Sequence, residues 1–457
     1  MNIKQKQQEK DLINDPIPKL IRQIGIPASI GFFFNTMYNV VDTFFGGRIS
    51  TQALAALSLS FPVFFLIIAF GSGLATGSTA LIGSALGEKD RNQARMYGIQ
   101  AISFGVVISV VLTLLGYALS PALFRILGAE DQYLADALIY MRTIFYGTVF
   151  FMINHMMNAV LQAMGDTKSY RNFLIGSFIL NVGLDPWFIY GGLGVPAMGI
   201  RGVAVATVAV QAGGVVYLAL RVKKTGLLSG ARLRDFLPRL HEFKNIAGQG
   251  FPASINMLTV AAGIFVITYY AGRFGQTAVA AYGAAVRVEQ IVLLPTIGLN
   301  VAALTLSAQN SGAKQFERVR ETINTALKYG AVLMAAGSVL VFFLAPFLMD
   351  LFTDDPQVLA SGKLYLRIDA LVLYAYVVLF VHVSALQGMK KPLFALVIGL
   401  YRQVAAPIAV FYLLAVAAGM GAKGIWWGIC IITWSAAIIA FFYARQKMKQ
   451  VLQYNYL

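Results

Sequence analysis

Apolar runs of some twenty residues or more recur along the chain, separated by short polar stretches. A helix needs about 20 apolar residues to cross the hydrocarbon core of a bilayer. On that measure the pattern predicts twelve spans. Six lie in the first half, at 18–46, 52–84, 93–118, 134–163, 170–190 and 199–222. Six lie in the second, at 241–272, 277–310, 321–346, 357–386, 393–419 and 422–446. Several are longer than a membrane is thick, so tilts or kinks are predicted. The chain then divides into a polar N-terminal tail (1–17), a first lobe (18–222), a basic linker (223–240), a second lobe (241–446) and a C-terminal tail (447–457). The tail 1–17 has no early apolar stretch and does not read as a signal peptide.

The two halves share a sequence pattern at a constant offset of 225 positions. Pro27-Ala28-Ser29-Ile30 returns as Pro252-Ala253-Ser254-Ile255, Gly87 and Lys89 as Gly312 and Lys314, Tyr140 and Arg142 as Tyr365 and Arg367, and Leu161, Gln162 and Met164 as Leu386, Gln387 and Met389. Each copy holds an even number of spans, so both enter the membrane in the same direction. The expected fold is an all-α polytopic membrane protein, twelve transmembrane helices in two six-helix lobes, related by a pseudo-twofold along the membrane normal. A central cavity between the lobes follows, an arrangement common among secondary transporters.

Composition agrees with the pattern. Of 457 residues, 58% are hydrophobic and 12% charged, against about 25% charged in soluble domains. The net charge of +16 would suit nucleic acid, but its distribution points elsewhere. Of the 36 Lys and Arg residues, 25 lie in or beside the alternate segments that include the N-terminus, the linker and the C-terminus. The opposite loops hold only Arg48, Arg125, Arg201, Arg273, Lys363 and Lys423. By the positive-inside rule both termini are cytoplasmic, and no nucleic-acid partner is expected. The single cysteine, Cys430, lies in an apolar span and reads as a small core residue. His155, His241 and His382 show no metal-ligand spacing, so neither a metal nor a cofactor is expected.

Few acids lie deep in the apolar spans: Asp42, Asp185 and Glu289. An ionised group there costs at least about 2.5 kcal/mol and defaults to a functional hypothesis. Asn181 precedes Asp185 by four residues and shares its helix face. At the repeat offset Asp42, Asn181 and Asp185 map to Ile267, Ala406 and Val410, so the polar set belongs to the first lobe alone. Two carboxylates together in an apolar lobe favour holding a proton, and the Asn181 carbonyl also suits Na+; the coupling ion stays open between the two.

Glu289 follows Arg287 by two residues, so the two cannot face each other on a helix, and Arg402 is a candidate partner. Asp369, near the outer half of the tenth span, is a further secondary candidate, as is Asn39. Pro27 interrupts the first span and is a candidate hinge; Asp42 lies 15 residues on, about 22 Å along an ideal helix. Met37, Met157 and Met257, with Asn154, are candidates for an adaptable substrate cavity.

The chain resembles the multidrug and toxic compound extrusion (MATE) family. The resemblance covers nearly the whole length, and its local matches are IPASI (26–30), YNVVDTFFGG (38–47), LQAMGDTKS (161–169) and LNVGLDPWFI (180–189). Within the family it is similar to the prokaryotic DinF-like branch. Asp42 matches that branch's first-helix acid, Asn181 and Asp185 its fifth-helix pair, and Tyr38 and Thr207 positions near that site. Glu289 and Asp369 keep a second-lobe contribution open, as in the NorM-like branch. The resemblance implies a non-enzymatic, monomeric antiporter of a prokaryotic cytoplasmic membrane, exporting amphiphilic and cationic drugs against H+ or Na+ by alternating access. The alternatives are a lipid or polyprenyl-lipid flippase, for which Arg287 and Arg402 are the only deep cations, and a prenyltransferase-like enzyme, for which Asp354-Asp355 is the only acidic doublet beside a span.

Overall fold

The computed structural model describes residues 10–454. Residues 1–9 and 455–457 of the predicted tails lie outside that range. The first half forms α1 (Ile17–Ile49), α2 (Thr51–Gly87), α3 (Arg91–Ile126), α4 (Asp131–Ala163), α5 (Thr167–Tyr190) and α6 (Ile200–Thr225). Helices are the expected answer, because lipid leaves backbone groups no partner but the helix's own. Side-chain caps start several of them: Ser50 accepts from the Ala53 amide, Asp90 from Gln93 and Asp166 from Ser169, at 2.9–3.0 Å.

The predicted linker is more ordered than its composition implies. It holds a short 3-10 turn, Leu233–Phe236, docked on α3. Gln100 Nε2 donates to the Asp235 and Leu237 carbonyls at 2.7 and 2.9 Å, and Gln100 Oε1 accepts from the Arg239 amide at 2.9 Å.

The second half repeats the order with interruptions: α7 (Leu240–Gly272), α8 (Gln276–Val292), α9 (Leu294–Gly312), α10 (Phe316–Asp350), α11 (Pro356–Asp369), α12 (Leu373–Gly388), α13 (Leu393–Leu400), α14 (Ala406–Phe411) and α15 (Ala422–Tyr454). The repeat extends to the backbone. Lys89 and Lys314, 225 apart, both turn with positive φ, at 62° and 58°, and Gly165 and Lys390 do so at 77° and 61°.

Three spans that are continuous in the first lobe are broken in the second. Opposite α2, the chain bends by 49° between α8 and α9, where Pro295 supplies no amide. Opposite α4, it bends by 51° between α11 and α12. The Ala370 and Leu371 carbonyls at that break accept from Ser338 Oγ at 2.5 Å and Trp434 Nε1 at 3.0 Å. Opposite α5, π-helical turns at Tyr401–Ala405 and Tyr412–Ala417 flank α14, which carries Pro407. Taking each bent pair as one span gives twelve, in two six-helix lobes. Asp355, half of the acidic doublet, caps α11 through the Gln357 and Val358 amides.

Large apolar side chains such as Val332, Phe343 and Phe265 stand exposed on the outer faces, where lipid would cover them. The lobes meet through α1 against α9 and α2 against α7 and α9. The lobes are in close contact at the end that carries the N-terminal segment and the α2–α3 turn. There a methyl group on Gly87 would run into the Gln309 carbonyl, and one on its repeat partner Gly312 into the Ser84 backbone. The N-terminal segment clasps both lobes at the same end. Lys10 Nζ donates to the Gly165 carbonyl at 2.7 Å, Asn310 Nδ2 to the Leu12 carbonyl at 3.1 Å and Arg318 to the Asp15 carbonyl at 2.7 Å. Burial away from water pushes the Lys10 amine below the usual lysine value.

Candidate functional site

Three helices of the first lobe bring the predicted acids together. Asp42 comes from α1, Asn181 and Asp185 from α5, and Thr207 from α6. The Asn181 side-chain nitrogen donates to Asp42 Oδ1 at 2.9 Å and to Asp185 Oδ1 at 3.0 Å. Thr207 Oγ1 lies 3.5 Å from Asp42 Oδ2. Asn181 and Asp185 are fully buried, and Tyr38, one turn before Asp42, is also buried. Asn181 Oδ1 has no hydrogen-bond partner among the described residues, while the two carboxyl groups lie close enough to share a hydrogen bond when one is protonated. Buried polar atoms are normally satisfied. Two carboxylates and an amide are thus gathered within an apolar lobe, where an ionised group is costly.

The second lobe has its own acidic cluster, built differently. Glu289 of α8 accepts a 2.5 Å hydrogen bond from the Tyr365 hydroxyl of α11. Asp369, one turn beyond Tyr365, is buried at the α11–α12 break, and neither carboxyl oxygen has a partner among the described residues. Arg402, in the first π-helical turn, stacks over Tyr376 and Phe380 at 5.5 Å from each ring centre. Glu289 and Arg402 both line a cavity of about 200 Å³, without a direct ion pair between them. Arg287, by contrast, is exposed on the opposite face of α8.

Tyr140 and Tyr365 are repeat partners. Tyr140 is buried within electrostatic reach of Asp42 and Asp185, as Tyr365 is bonded to Glu289. The acids themselves do not follow the repeat, since Glu289 and Asp369 map back to Phe64 and Ile144. Each lobe thus sets carboxylates around an equivalent tyrosine, from different helices.

Between the lobes lies a larger cavity of about 390 Å³, in the range that holds small organic ligands. Tyr38, Asn39, Asn154, Met257 and Thr207 line it, whereas Met37 and Met157 are not among its lining residues. Met157 packs into the apolar core beside α3 and α4. Asn39 is exposed there and bonds the Asn35 carbonyl at 2.9 Å. Pro27 is buried inside α1, which runs as one continuous helix through it. Neither Asp42 nor Asp185 reaches the cavity wall; Tyr38 and Thr207 stand between.

Sequence reasoning missed the contributions of Tyr365, Tyr376 and the cavity amides Asn256 and Asn300. Tyr365 carried a usable signal, being four residues before Asp369 and conserved in the repeat. The amides carried none, since polar residues scattered over separate helices show no common wall until those helices pack. Among the described residues no cluster of His, Cys, Asp and Glu could hold a metal ion.

Comparison with known proteins adds to this geometry. The profile of the MatE family matches residues 27–187 and 252–413, one stretch in each lobe. A probable multidrug resistance protein of Bacillus subtilis, YoeA, is 28% identical over 77% of this chain and 76% of its own length. An FAD transporter of Shewanella oneidensis is 28% identical over 86% of this chain and 87% of its own. A solved structure described as the outward-facing conformation of a multidrug resistance MATE family transporter superposes with a TM-score of 0.90 at 25% identity, covering 98% of this chain and 99% of that one.

Proposed function

The chain belongs to the MatE family, whose members are membrane transporters and not enzymes, and from that premise we propose that it is a cation-coupled exporter of small amphiphilic organic compounds. The observation that carries this reading is the pair of carboxylates, Asp42 and Asp185, tied by one amide in an apolar lobe beside the inter-lobe cavity. In the proposed cycle a proton or Na+ entering from outside neutralises the pair. It loosens the Asn181 bonds and shifts α1, bending at Pro27, so that the cavity wall at Tyr38 moves and the cargo leaves. The Asn181 nitrogen occupies the position between the two carboxyl groups, where a metal cation would need oxygen. That arrangement favours a proton as the coupling ion, with Na+ second.

Relatives named for multidrug resistance or export make drugs the first cargo to test, and the relative named as an FAD transporter widens the range. The sealed end with the N-terminal segment supports an outward-open state in a cytoplasmic membrane with both termini inside. The energetics suffice: one charge crossing 100 mV yields about 2.3 kcal/mol, enough for roughly a 40-fold gradient of a neutral cargo. The flippase alternative is weakened, because Arg287 is exposed on the outside and Arg402 lies in the smaller cavity; the arginine that lines the central cavity is Arg171, which the sequence did not single out, and one guanidinium falls short of the several basic groups that a pyrophosphate would need. The test is a panel of cationic, neutral and anionic fluorescent compounds in proteoliposomes holding an imposed pH or Na+ gradient. Gradient-dependent movement of at least one is expected; no movement of any under either gradient would sink the reading.

A further inference from the structure

The walls of the central cavity carry an unusual balance of polar groups. Nine lining residues are Asn or Gln, drawn from both lobes, and none of the described lining residues is Asp or Glu. Gln162 and Gln387, partners in the repeat, face it from the two sides. Apart from His155, the ionisable side chain with a positive form on the wall is Arg171. Its guanidinium bonds the Asn172 side chain at 2.7 and 3.0 Å and forms no ion pair among the described residues.

Several of these polar groups are also unsatisfied. Asn154 Oδ1 and Ser177 Oγ have no partner among the described residues, although the two residues are only 2% and 5% exposed. Asn300, from the opposite lobe, is half-buried, and its Oδ1 is likewise without a partner among the described residues. Phenylalanines, among them Phe32, Phe151, Phe173 and Phe380, supply the apolar part of the wall.

We infer that this cavity takes planar heteroaromatic compounds that carry several hydrogen-bonding edges and one acidic group, in preference to lipophilic cations. The inference rests on the reading of the chain as an exporter and narrows its cargo. Side-chain amides pair a donor and an acceptor with the amide-like edge of a ring, the phenylalanine rings stack on its face, and Arg171 meets a carboxylate or phosphate. A lipophilic cation would find no carboxylate on this wall and would sit near an uncompensated guanidinium. Charge movement is consistent as well. An anion leaving and a cation entering carry charge the same way, so a potential negative inside drives both.

The test compares flavin mononucleotide, which is planar, amide-edged and acidic, with riboflavin, its neutral core, and ethidium, a planar cation. Binding to the purified full-length protein is read by fluorescence, alongside transport in proteoliposomes under an imposed potential. Flavin mononucleotide is expected to bind at least about tenfold more tightly than ethidium, and to lose about tenfold or more in Arg171→Ala while Arg171→Lys retains most of the affinity. Riboflavin is expected to be indifferent to Arg171→Ala and weakened by Asn300→Ala. Flavin mononucleotide transport is expected to accelerate with a potential that is negative inside. Tighter binding of ethidium, no binding of flavin mononucleotide, or equal affinity in Arg171→Ala with an unchanged melting profile would overturn the inference. If ethidium still moved with an ion gradient, the exporter reading would survive that result; if no compound moved under any gradient, both would fall.

Discussion

The side-chain nitrogen of Asn181 lies 2.9 Å from Asp42 Oδ1 and ties α5 to α1 across 139 positions of sequence. The same nitrogen holds Asp185 one turn along its own helix. One neutral donor thus sits between two acids and sets the position of the wall helix α1. Replacing it tests this directly. Asn181→Leu removes two hydrogen bonds to carboxyl groups, each contributing about 1.5–3 kcal/mol, and leaves Asp42 with Thr207 and the neighbouring Asp185 carboxyl. A fall in melting temperature of several degrees is expected in detergent, together with loss of coupled transport. Wild-type transport in Asn181→Leu would show that the amide does not organise the site.

The second-lobe cluster is expected to act mainly on stability, since Glu289 is already partnered by Tyr365 at 2.5 Å. Tyr365→Phe takes one of two tyrosine hydrogen bonds from the buried Glu289 carboxyl and leaves Tyr376 beside it, at a cost of about 1–3 kcal/mol. Glu289→Gln keeps a hydrogen-bonding group and is expected to melt close to wild type and retain at least half the transport rate. Transport abolished in Glu289→Gln at an unchanged melting temperature would move part of the coupling into the second lobe.

Closure at one end depends on glycines that face the other lobe. A side chain at Gly312 would meet the Ser84 backbone. Gly312→Leu is therefore expected to prevent that end from sealing and to favour the opposite opening. Alkylation of single cysteines placed on the α2–α3 and α12–α13 turns should then rise several-fold. The partners Glu88 and Lys390, 3.6 Å apart across those turns, are suitable reporters, and the native Cys430 is buried. Unchanged labelling in a folded Gly312→Leu protein would argue that the lobes do not separate there.

Much of this architecture is legible in the sequence. Twelve apolar stretches and a constant offset imply two six-helix lobes, because lipid permits little else and a duplicated pattern folds alike. Asp42, Asn181 and Asp185 stand out since charge is rare in such stretches, and the i, i+4 spacing of the α5 pair predicts a shared face. The breaks in the second lobe were less visible. Pro295 signals one, but the bend at Ala370–Val372 contains no proline and depends on Ser338 and Trp434 reaching in from other helices. Arg287 and Arg402 looked alike as deep cations, and helical phase separates them. Arg287 turns outward on α8, while Arg402 stacks on two rings of α12. The amide wall is a property of the packed lobes, so no local pattern announced it.

Pro27 gives the proposed movement a specific test. It lies within a continuous α1, where it removes one backbone hydrogen bond and lowers the cost of bending. Pro27→Ala restores that bond, so a normal melting temperature is expected with transport slowed about tenfold or more. Full-rate transport in Pro27→Ala would place the moving part elsewhere.

The central claim is that the carboxylate pair of the first lobe couples an ion gradient to export. The most direct measurement is transport in proteoliposomes, under a pH gradient or a Na+ gradient, for wild type, Asp42→Asn and Asp185→Asn, with flavin mononucleotide and ethidium as reporters. The account predicts gradient-driven movement in wild type, strongest under the pH gradient, and its loss in Asp42→Asn with reporter binding retained. Undiminished gradient-driven transport in both variants would contradict it.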